Sequence, residues 1–146
     1  MEPNEIAAQY ANRVASALTF VERVPPDLRD KKGVTEQWSV KDLLAHCAYW
    51  DGVHVAEMET EFAGGTIVED DREDDVINAE QFKVRANQSW DQIMDEVTTN
   101  RDKLVELLKR PSRYDQSGSG EHWIEHGQQI KGWLASNQRN PTGQSE

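Results

Sequence analysis

A single cysteine, Cys47, is all the thiol this chain has, so no internal disulfide can staple it and its core must hold it together unaided. Long apolar runs are missing too. Nothing in the chain approaches the ~20 consecutive apolar residues that a membrane-spanning helix needs. The N-terminus lacks the charged start, apolar centre and small-residue cleavage site of a signal peptide, and with the missing disulfide this predicts a cytoplasmic protein. Basic residues are few: 16 Lys and Arg stand against 27 Asp and Glu, for a net charge of −11. A surface of that sign repels phosphate backbones and anionic lipid heads, which predicts neither nucleic acid nor a membrane as partner. Strand-like alternation and internal repeats are absent. So are a G-x-S-x-G elbow, a phosphate loop and a dinucleotide fingerprint, which removes the chemistries that depend on them.

What remains is a helical pattern. The 146 residues fit one domain, and 36% hydrophobic content is enough for a core while leaving much of the chain in water. Residues 3 to 23 read as a first helix, with Ile6, Tyr10, Val14, Ala17, Leu18 and Val21 at helical spacing and Pro25-Pro26 as the stop. A second helix runs from Val40 to Phe62. Ser39 followed by Asp42 forms a capping box at its start, and Gly64-Gly65 ends it. The run Glu69 to Asp75 reads as a solvated loop: its acidic residues lack the spaced oxygens and glycine of a calcium loop. A third helix is predicted from Asn78, as N-cap, to Arg110, with Phe82, Ala86, Trp90, Ile93, Met94, Val97, Leu104, Val105 and Leu108 inward and a kink at Gln88-Ser89. The fourth covers Glu121 to about Ser136. Residues 137–146, with Pro141 and Gly143 and no apolar side chain, read as a disordered tail beyond a domain of residues 1–136. Four amphipathic helices in one domain predict an all-α, four-helix bundle.

Two of the four histidines, His122 and His126, stand one turn apart on the fourth helix. At about 40° around the axis and about 6 Å along it, both imidazoles can reach one ion. A shared metal would also relieve the ~1–3 kcal/mol that each unpaired ring costs in a dry core. On the second helix His46 lies about two turns in, sharing a face with Leu43, Trp50 and Val53, and is the natural third ligand. Cys47 is about 100° away from it and reads as packing.

The stretch W-S-V-K-D-L-L-A-H-C-A-Y-W-D from Trp38, with H-x-x-x-H-x-x-Q-I-x-x-W-L from His122, resembles the DinB-like superfamily of bacterial four-helix-bundle proteins. The resemblance implies a divalent metal, zinc or nickel, held by His46, His122 and His126. It also implies a class of activity, because the family includes thiol-dependent transferases and isomerases that use a low-molecular-weight thiol on a small-molecule substrate. A metal-dependent hydrolase and a non-catalytic, metal-binding stress-response module are the alternatives. Helix-face pairing in the family, with five tryptophans in a modestly apolar chain, predicts a homodimer. For the chemistry beside the ion the candidates are His54 and Glu125. His54 lies about 80° from His46 around the helix, at the site's edge, to orient a ligand, carry a proton or simply stand exposed. Glu125 completes the H-x-x-E-H pattern of one group of zinc peptidases, where it would be the base; its position about 60° off the His122 direction favours a partly exposed helix acid instead. Trp38, Trp50, Trp123 and Trp133 read as core aromatics that can also wall a pocket.

Overall fold

The computed structural model describes residues 1–139 and, among them, contains helices and no strand. Helix α1 (Pro3–Val21) begins with proline in its first turn, where the missing N–H costs nothing, and buries Ala7, Tyr10, Val14, Ala17, Leu18 and Val21. Ile6, expected inward, is only partly covered. A short 3-10 turn, Pro26–Leu28, leads to the second helix.

Helix α2 (Val40–Phe62) has the expected bounds and the expected cap: Asp42 N–H donates to Ser39 Oγ at 3.1 Å, and Ser39 N–H donates to Asp42 Oδ2 at 2.8 Å. At its other end Gly64 adopts φ +79°, a left-handed conformation that glycine takes without strain. The buried stripe of α2 is Val40, Leu43, Leu44, Ala45, Cys47, Ala48, Asp51, Val55 and Met58. His46, Trp50 and Val53 flank that stripe, half-covered, so the histidine borders the core instead of pointing into its centre.

The predicted third helix is two. Helix α3 (Asp74–Arg85) and helix α4 (Trp90–Leu108) are separated because Ser89 opens a second capping box, accepting from Gln92 N–H at 3.1 Å while Gln92 Oε1 accepts from Ser89 N–H at 2.8 Å. Ala86 is accordingly not core but the exposed C-cap of α3. Helix α3 starts earlier than Asn78, inside the acidic run: Glu73 is its N-cap, and Asp74 and Asp75 form its first turn, where negative charge suits the helix dipole. Residues 69–73 remain loop, as expected. Asn78 is therefore not a cap. Its Oδ1 accepts from Trp50 Nε1 at 2.8 Å, which docks α3 on α2. Arg85 pairs with Glu96 across the break.

Helix α5 (Glu121–Arg139) runs past Ser136, so Asn137 to Arg139, assigned to the tail, are helical. Asn137 Oδ1 accepts from Lys31 Nζ at 2.8 Å. The rest of the expected tail, residues 140–146, lies outside the described residues. The bundle is α1, α2, α4 and α5: α2 packs chiefly on α4, and α1 on α5 and α4, while α3 lies over the flank of α2. Helices α1 and α5 approach closely at Gly127, where an added Cβ would stand 3.0 Å from Ala17 Cβ. No described helix is long and apolar enough to cross a membrane.

Candidate functional site

The capping box sets where α2 starts and hence which way His46 faces: toward the seam between α2, α3 and α5. There its ring lies 5.1 Å from that of Trp38, which stacks on Phe82 of α3, with centroids 6.1 Å apart and planes 14° from parallel. On the other side the His126 ring meets it edge-on, with centroids 5.0 Å apart. The His46 imidazole is held down to about 4, first by burial, then by repulsion from His126 and His122, with Asn78 opposing. It is a neutral ring at physiological pH, with a lone pair to offer. His126 turns its Nδ1 to Gln129 Oε1 at 2.7 Å; with the amide oxygen as acceptor, this contact favours the proton on Nδ1 and the lone pair on Nε2. A narrow cleft lined by Trp38, His46, Tyr49, Asn78, Phe82 and Arg85 adjoins His46.

The third histidine faces a different neighbour. His122 Nε2 stands 3.1 Å from Asp51 Oδ1, and neither atom has a hydrogen-bond partner. Asp51 is 1% exposed and is the only acidic side chain in the described core. Its other oxygen, Oδ2, accepts from Tyr10 Oη at 2.7 Å and from Trp123 Nε1 at 2.9 Å, so three helices meet on one carboxylate. Sequence reasoning gave Asp51 no role. Its signal was present, since an acid at a position shared with Leu44, Cys47, Ala48 and Val55 interrupts an otherwise apolar stripe.

The chain thus gathers His46 and His126, and places His122 close enough to influence His46 electrostatically. As the side chains stand, no group of three or more His, Cys, Asp or Glu among the described residues could hold an ion. An ion held by all three therefore requires side-chain rearrangement. The donor chemistry suits one nonetheless: His46 is neutral, and His122 and His126 each have an acceptor beside one ring nitrogen that leaves the other free to ligate.

His54 lies further out, its Nε2 2.6 Å from Gln116 Oε1. With Asp51, His122, Asp115 and Gln116 it lines an open cavity of about 270 Å³, so it reaches the His122 side of the site and not the His46 side. Glu125 is exposed, although its charge still reaches buried Cys47 on α2. Cys47 is fully buried, and burial pushes its thiol up, which agrees with packing. Trp123 is buried at 2% exposure, while Trp38, Trp50 and Trp133 are partly covered, with Trp38 forming a wall over His46.

Two solved structures share this architecture. An uncharacterised protein from Escherichia coli UTI89 superposes with a TM-score of 0.80 over 94% of this chain and 95% of its own, at 13% identity. The colibactin self-resistance protein ClbS, crystallised with a double-stranded DNA, superposes with a TM-score of 0.76 over 90% of this chain and 94% of its own, at 14% identity. At such identities the likeness is one of fold. No curated protein matches the chain in sequence. The family profile of the DinB superfamily does match, over residues 3–135, and with the helical bundle it shows that the chain belongs to that superfamily.

Proposed function

We propose that this protein binds a divalent metal, zinc or nickel, through His46, His122 and His126, and uses it in a thiol-dependent transfer or isomerisation of a small molecule. The observation that carries the reading is the meeting of His46 and His126, on helices remote in sequence, with His122 one turn away on the same helix. Three imidazoles gathered at the edge of a core are a set of nitrogen donors with no evident packing purpose, since covering a polar ring costs more than covering an apolar one of its size. Bound there, the ion would supply a Lewis-acidic centre for a thiol or a water. The chain's own residues do the rest. Trp38 and Phe82 wall the His46 side. His54, which lines the outer cavity beside Gln116, would carry a proton between that cavity and solvent. Exposed Glu125 is the weaker candidate for that task.

The first expected outcome is that protein purified without a nickel column holds about one equivalent of zinc or nickel after reconstitution, by elemental analysis, and binds a small thiol. His46→Ala, His122→Ala and His126→Ala should each lose the metal while keeping the helical circular dichroism. Full metal retention in His46→Ala would sink the ligand assignment. Metal binding without thiol binding would leave the non-catalytic module or the hydrolase. Nucleic acid is no part of this reading, although ClbS was crystallised with DNA, because the chain carries a net charge of −11. Fluorescence polarisation with a labelled duplex at physiological salt should show no saturable binding; saturation would add DNA to the partners.

A further inference from the structure

We propose that Asp51 is the positioning residue of the His122 ring: it takes the Nε2 proton in a hydrogen bond and so fixes Nδ1 as the nitrogen that carries the lone pair. The purpose of this pairing rests on the metal reading above, but the pairing itself does not.

The carboxylate is locked before His122 is considered. Tyr10 from α1 and Trp123 from α5 both donate to Oδ2, at 2.7 and 2.9 Å, and the residue is 1% exposed. With one oxygen doubly bonded and the plane of the carboxylate fixed, the second oxygen has nowhere else to turn. It is aimed at His122 Nε2, 3.1 Å away, and that nitrogen likewise lacks another partner. Two unpartnered buried atoms at that distance need only a small rotation of the ring to bond.

The chemistry then dictates the tautomer. A carboxylate oxygen can only accept, so the nitrogen beside it must bear the hydrogen, and a neutral imidazole has only one to give. Nδ1 is left with the lone pair. Gln129 biases His126 in the same way, but an amide can turn its NH₂ instead of its oxygen to the ring, whereas a carboxylate has no donor to offer. Asp51 is thus the side chain that can enforce the outcome. A role confined to pinning helices would be served by a neutral amide, whose oxygen also accepts from Tyr10 and Trp123, without the cost of burying a charge.

Asp51→Asn separates the two roles. The amide oxygen keeps the bonds from Tyr10 and Trp123, while the NH₂ faces His122 Nε2 and asks it to accept, which moves the ring proton to Nδ1. Nitrogen chemical shifts of His122 in metal-free protein near pH 8 report the tautomer directly. The expected result is Nε2–H in the unaltered protein and Nδ1–H in Asp51→Asn. A His122 that is Nδ1–H in the unaltered protein overturns the proposal, even if the variant fails to fold. Zinc affinity, by competition with a chelating dye, should fall about 10–100-fold in Asp51→Asn with the urea midpoint little changed. Unchanged zinc affinity in a folded variant overturns the purpose assigned to the pairing, while the tautomer decides the pairing itself. If the unaltered protein binds no zinc, the metal reading fails, and the tautomer measurement still decides whether Asp51 sets the ring.

Discussion

Tyr10 looks like an ordinary core aromatic at helical spacing, and its ring is fully buried. Its hydroxyl is what distinguishes it. Burial first, and then the charge of Asp51, push the phenol far up, so it is a permanent donor to the carboxylate. Tyr10→Phe removes that donor and little volume. Asp51 Oδ2 keeps Trp123, so the carboxylate is weakened and not orphaned, and the expected loss is about 1.5–3 kcal/mol, the range for a hydrogen bond to a charged group. Urea unfolding of the variant measures this. A loss below about 0.5 kcal/mol would mean that solvent or another donor replaces the hydroxyl. His46, His122 and His126 were legible as residues because histidine is rare here and the spacing on α5 is one turn. Asp51 was not, because a sequence names a residue but not its partners: Tyr10 lies 41 positions before it and Trp123 72 after it.

The same contrast holds for whole elements. The bounds of α2 could be read in full, since a capping box at Ser39 and a left-handed glycine at Gly64 are local devices that act within a few residues. The division between α3 and α4 was also written locally, in Ser89 and Gln92, but the apolar periodicity from Phe82 to Leu108 continues across it and outweighed the cap. Periodicity records which residues face inward. It does not record whether one axis or two carries them. The early start of α3 was hidden for another reason: six acidic residues in a run of seven read as a solvated loop, although the last two neutralise the positive end of a helix. That start matters to the site, because it sets the register that brings Asn78 to Trp50 and Phe82 to Trp38. The seam of α1 and α5 was invisible for the opposite reason, as Gly127 offers no side chain to a periodicity count, yet lets the helix bearing His122 and His126 lie against Ala17.

At the scale of the molecule, charge sets two opposing responses to salt. Exposed pairs such as Lys32 with Asp42 at 2.6 Å, Arg72 with Asp70 and Glu80 at 2.6 Å, and Lys109 with Glu106 at 2.9 Å are each weakened by added ions. Such exposed pairs contribute little, and among the described residues they are few. Against them stands the mutual repulsion of a surface with a net charge of −11, which folding concentrates and which the expanded chain relieves. Raising ionic strength from about 0.01 to 0.15 M shortens the screening length from about 30 to 8 Å, which removes most of that long-range repulsion while leaving contacts of about 3 Å partly intact. Repulsion between many charges should therefore lose more than the pairs do. The expected outcome is that the urea midpoint of metal-free protein, held in a chelator at constant pH, rises between 10 and 150 mM sodium chloride. Urea is required because guanidinium is itself a salt. The Tyr10→Phe loss should be the same at both ionic strengths, since its partners are out of reach of solvent ions. A midpoint that falls with salt would mean that the surface pairs outweigh the net charge.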